Sequence, residues 1–188
     1  MKHIAKFAAA CGSLLLAAPA FAHTGDGAHG LAHGLAHPMT GLDHLLAMVA
    51  VGLWAATRER GQAWQAPATF LSALALGGVG GLLLGASALV EPVVALSLVV
   101  LGAMVVFSAR VPASFGLGVI GLLALFHGYA HGGEATGGAL GYFAGFLIAS
   151  ALLHLAGFEA GRMALSGRLG RIASGAGLGL AGLALTLG

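Results

Sequence analysis

The sequence predicts an all-α fold, a polytopic membrane helix bundle of about six transmembrane helices behind a cleaved leader. Three observations predict it. Of the 188 residues, 59% are hydrophobic and 7% charged, with a mean hydropathy of +0.97; a soluble domain carries about 25% charged residues. Six apolar segments, roughly 38–56, 66–86, 88–108, 113–132, 138–158 and 170–187, follow one another along the chain. Each is about 17–21 residues, enough to cross ~30 Å of hydrocarbon as a helix. The charges fall almost entirely between them.

The elements are read in order. Residues 1–22 have the form of a signal peptide: Lys2 and Lys6 precede an apolar run from Phe7 to Ala18, and Ala20-Phe21-Ala22 offers a cleavage site. That run is shorter than the ~20 residues a span needs, so cleavage before His23 is expected. The single cysteine, Cys11, falls inside the leader. A mature chain without thiol excludes disulfides, Cys-zinc sites and iron–sulfur clusters. Without Lys2 and Lys6, 8 − 2 = 6 basic residues face 6 acids. The balance gives no reason to expect nucleic acid as a partner. Residues 23–37 are expected to be a periplasmic, His-containing tail, and 38–188 the transmembrane domain.

Arg58 and Arg60, then Arg110, then Arg162, Arg168 and Arg171 occupy alternate loops, and the intervening loops carry no Lys or Arg. The positive-inside rule puts the Arg loops in the cytoplasm and both termini in the periplasm, where a cleaved leader also leaves the N-terminus. A bacterial inner membrane is the expected location. Trp54 and Trp64, flanking the first of these loops, read as interfacial indoles. Gly77, Gly81 and Gly85 in the second span match Gly137, Gly141 and Gly145 in the fifth, which fits an inverted three-plus-three repeat.

Two motifs carry the chemistry. The first span opens His37-Pro38-Met39-Thr40-Gly41-Leu42-Asp43-His44, with Met48 a turn later, and the fourth closes Phe126-His127-Gly128-Tyr129-Ala130-His131-Gly132-Gly133-Glu134. Ionisable groups at membrane depth cost about 2.5–3.5 kcal/mol each on insertion scales and default to function. On a helix His127, His131 and Glu134 share one face, and Asp43 points about 100° away from His44. The two motifs lie on the same, periplasmic side, so their donors can meet. Along a straight helix His37 and His44 are ~10 Å apart, too far to share an ion. His37 is expected to serve an admission step, or to cap a helix that Pro38 begins.

Imidazole with carboxylate and no thiolate suits Ni²⁺, Co²⁺ or Zn²⁺ rather than Mg²⁺ or Ca²⁺. The alternative is a hydrogen-bonded polar network that fastens helices together. Glu91, before Pro92, is either a further ligand or an interfacial carboxylate at a helix start. His154, deep in the fifth span, is either an inner ligand or a packed histidine. Glu159 and Arg162 read as a surface pair. His29 and His33 with His37 form a four-residue spacing that reads as a mobile metal trap, because the glycines around them disfavour a stable helix.

At these residues the chain resembles the HupE/UreJ family of bacterial nickel (in some lineages cobalt) permeases. The matches are H-P-x-x-G-x-D-H-x-x-x-M at 37–48 and F-H-G-x-A-H-G-x-E at 126–134, and the leader and six spans extend the likeness over the whole chain. The resemblance implies His37, Asp43, His44, His127, His131 and Glu134 as transport residues and Ni²⁺ or Co²⁺ as cargo, with no prosthetic group. It also implies supply of a nickel enzyme such as hydrogenase or urease. The H-x-x-x-x-x-D-H spacing is one residue longer than that of the larger nickel/cobalt transporter family, so ligand geometry is not borrowed from there.

No G-x-x-x-x-G-K-[ST] loop occurs, so transport without ATP is the expectation, with the lipid bilayer and the ion as partners. A homo-oligomer is compatible with the sequence. The competing class is a membrane-embedded hydrolase or hydroxylase; against it, no H-E-x-x-H is present. A metal sensor or storage protein would need a signalling domain that the sequence lacks.

Overall fold

The computed structural model describes residues 30–134 and 138–187. The leader and His29 lie outside the described residues. Those described form seven helices and no strand: α1 (Leu31–Thr40), α2 (Leu42–Ala56), α3 (Gln65–Leu84), α4 (Val90–Val106), α5 (Ala113–Glu134), α6 (Ala139–Ala164) and α7 (Arg168–Leu187). Helices α3, α5, α6 and α7 are each long and apolar enough to span a bilayer, and α1 with α2 makes a fifth span broken by an 86° bend. With α4, a shorter apolar helix of 17 residues and thus ~25 Å, the set is compatible with the six expected.

The polarity of the molecule is that of a bilayer protein. Leucines such as Leu83, Leu140 and Leu187 are more than three-quarters exposed, while His44, His127, His131, His154, Ser97 and Ser150 are buried. With water outside, that arrangement would expose apolar surface and desolvate polar groups at once; with lipid outside, both are reversed. The buried hydroxyls are satisfied within their own helices, Ser97 Oγ donating to the Val94 carbonyl and Ser150 Oγ to that of Phe146.

Close backbone approach sets the packing. The two motif-bearing spans are each seated on a glycine-rich partner: α5 on α3, and α1 and α2 on α6. At Gly128 a side chain would collide with the Leu74 carbonyl and the Gly78 amide of α3. At Gly34 it would collide with the Tyr142 carbonyl of α6. Without strong apolar drive between helices in lipid, small residues allow the contact area that holds them. Helix α4 lies between α7 and the central pair of α2 and α5.

Three expectations change here. The chain is already helical from Leu31, so α1 carries His33 and His37 in an ordered helix rather than a mobile tail. Its packing against α6 supplies what the local glycines lack. Pro38 lies inside α1 instead of starting a span; it has no N–H to give the carbonyl four residues back, and α1 ends two residues later, at Thr40. The helix stops at Gly41, whose backbone is extended (φ −95, ψ 116). Trp54 is not an interfacial indole: it is 1% exposed and packs against Gly116, whereas Trp64 is 65% exposed.

Arg58 ties two of the arginine-bearing loops to one end of the bundle. Its guanidinium stacks 4.4 Å over Trp54 and donates to the carbonyls of Val111 and Ser108. Partial burial lowers its pKa from the ordinary value, and the charge stays.

Candidate functional site

The site is assembled where the bend at Gly41 meets the last turns of α5. His44 and Asp43 sit in the first turn of α2. The Asp43 Oδ1 accepts the His44 backbone N–H and the His44 Nδ1–H, each at 2.8 Å. A carboxylate at a helix start satisfies an amide that the helix leaves without a partner. The expectation that Asp43 points away from His44 therefore fails, because the side chain folds back over the next residue instead of standing radially.

The His44 ring lies 4.3 Å from that of His131 and 5.2 Å from that of His127. His37, on the other arm of the bend, lies 4.7 Å from His131. No straight helix joins His37 to His44: the chain bends at Gly41, and both rings contact that of His131. His33, exposed, continues the row 5.6 Å beyond His37. Contact by contact the imidazoles run His33, His37, His131, His44, His127, the last three buried.

The hydrogen bonding of the inner three has one pattern. Nδ1 of His44 meets Asp43, Nδ1 of His127 meets the Leu123 carbonyl at 2.9 Å, and Nδ1 of His131 lies 3.4 Å from the Tyr142 hydroxyl. The Nε2 atoms of all three are buried without a hydrogen-bond partner among the described residues. An Nδ1–H directed at a carboxylate or carbonyl fixes the tautomer with its lone pair on Nε2, the arrangement found around metal-binding histidines. A buried polar atom with no partner is rare enough to need a reason. Among the described residues no group of three or more His, Cys, Asp or Glu side chains is arranged to hold a metal ion. The rings pack against one another.

A cavity of about 350 Å³ adjoins the pair, lined by Asp43, Glu91, Pro92, Ala95, Leu185 and Thr186. Glu91, exposed in the first turn of α4, thus faces the same space as Asp43. Glu134 ends α5, and its side chain lies outside the described residues. Met48, buried and one turn below His44, belongs to the apolar core. Glu159 and Arg162 are an exposed pair at 3.4 Å. His154 is buried farther along α6.

Sequence reasoning missed the aromatic frame. Tyr142 and Phe146, one turn apart on α6, pack on His37 and His131, and Phe70 of α3 lies 5.7 Å from His127. Aromatic residues in apolar spans carry no sign of which way they face. The i, i+4 spacing of Tyr142 and Phe146 was the available signal.

Fold and site together define a polytopic membrane protein whose apolar bundle encloses a row of imidazoles. A family model described as HupE / UreJ protein matches residues 11–187. Protein HupE of Rhizobium leguminosarum bv. viciae is 42% identical over 181 residues, 94% of each chain. The chain belongs to the HupE/UreJ family. No solved structure matches it.

Proposed function

We propose that the chain is a secondary transporter that imports nickel or cobalt ions from periplasm to cytoplasm across the inner membrane. The observation that carries this reading is the set of three buried Nε2 atoms on His44, His127 and His131, which come from two spans and have their Nδ1 sides occupied. Neutral imidazole nitrogen is a preferred donor for both ions. Asp43 and Glu91 line the adjoining cavity; together with Glu134 their charges would attract the hydrated ion and offset its lost water. His37 and His33 would hand it inward along the row.

Asp43 orients His44 and supplies charge, His44, His127 and His131 are the nitrogen ligands, and Glu134 is a carboxylate ligand at the outer end of α5. The Nε2 atoms are shut off from solvent, which fits an occluded state that must open to receive its cargo. The glycine contacts of α3 with α5 and of α6 with α1 and α2 give helices that can slide, and this pairing is what an inverted repeat produces. A divalent cation moving inward gains about 2 × 2.3 kcal/mol per 100 mV, which suffices for accumulation without ATP.

The test is purified protein in liposomes loaded with a nickel-responsive dye. An inside-negative potential without nucleotide should give protein-dependent nickel or cobalt influx. Influx no faster than in empty liposomes for both ions would end the transport reading.

A further inference from the structure

Among the described residues, His154 is the buried imidazole that stands apart from the row. It is 1% exposed on α6, and neither of its ring nitrogens has a hydrogen-bond partner among the described residues. One turn away, Ser150 Oγ is committed to the Phe146 carbonyl. The Phe70 ring meets His154 edge-on at 5.0 Å and also lies 5.7 Å from His127. A single aromatic ring therefore bridges His127 and His154. The depth fits a path: the His154 carbonyl lies against Gly52 of α2, eight residues past His44 and so ~12 Å deeper.

A histidine that only filled space would be replaceable by an apolar ring without loss. One that tied helices together would show a partner. With two unpaired nitrogens, it carries the full desolvation cost of both. We infer that His154 is a second, inner station for the transported divalent cation, reached from the outer imidazoles past the Phe70 ring. This rests on the transport reading. One imidazole holds a partly hydrated ion weakly, which suits a site that must release what it takes. Conduction needs several sites from which the ion can leave, rather than one deep well. The outer row captures and selects; His154 sets the rate of transit.

The test uses full-length protein in liposomes, wild type against His154→Phe and His154→Ala. Nickel influx is measured against concentration, and nickel affinity by titration. Maximal influx should fall about tenfold, with the half-saturating concentration and the equilibrium affinity of the outer site unchanged. His154→Phe should be at least as heat-stable as wild type, since an apolar ring replaces an unpaired polar one. Wild-type influx through a folded His154→Phe protein would overturn the assignment, as would loss of affinity in step with rate. Failure of both variants to accumulate would mean a structural role and overturn it too. Absence of influx in the wild type would instead strike the transport reading itself.

Discussion

Replacing Asp43 by Asn keeps the size and one oxygen of the side chain and removes its charge. In the wild type one carboxylate oxygen accepts both His44 N–H groups at 2.8 Å. A hydrogen bond to a charged group contributes roughly 1.5–3 kcal/mol and a neutral one about 1. The imidazole loses the difference, about 0.5–2 kcal/mol, or roughly 2- to 30-fold in affinity. The side chains of His44 and Asp43 are 10% and 22% exposed, so water screens the pair only partly. Loss of such a supporting partner typically costs 10–100-fold in metal affinity. Titration calorimetry of the purified variant should show nickel affinity weakened about 10–100-fold. Thermal unfolding should fall only slightly, because a carboxylate in the first turn of α2 contributes about 0.3–1 kcal/mol through the helix dipole. An unchanged affinity in an equally stable protein would refute the idea that Asp43 prepares His44 as a ligand.

Other perturbations separate packing from transport. Gly128→Leu drives a side chain into the Leu74 carbonyl and should destabilise the bundle by about 1–3 kcal/mol or more, read as lost membrane abundance. Gly118→Ala, which meets nothing within 4 Å, should leave abundance unchanged. Arg58→Ala removes two carbonyl contacts and the stacking on Trp54 and should lower the unfolding temperature, corresponding to roughly 2 kcal/mol. His33→Ala, at the exposed end of the row, should raise the half-saturating nickel concentration a few-fold and leave the maximal rate alone.

The bilayer solvent, the alternate arginine loops and the two motifs were legible because each is a local property of sequence. Composition showed the solvent, and helical spacing put His127 and His131 on one face, where both now meet His44. The position of His37 was not legible. It depends on the bend at Gly41, and Pro38 three residues earlier gives the stronger local signal for a boundary. The helicity of α1 was hidden for a related reason, since its glycines are poor helix formers alone and good packing surfaces once α6 is present. Trp54 was misplaced because sequence shows an indole near a loop and cannot show that Gly116 leaves room for it inside. Glu91 became informative only when α4 brought it to the cavity shared with Asp43.

The most direct test of a nickel path through the buried imidazoles is uptake of radioactive nickel by cells that lack their own importers. Wild type and His131→Ala are compared at equal membrane abundance. His131 touches both His37 and His44, so the row breaks when it is removed. Uptake that appears with the wild type and vanishes with His131→Ala is the predicted result. Equal uptake by both proteins would contradict the account, because the ion would then cross without the site.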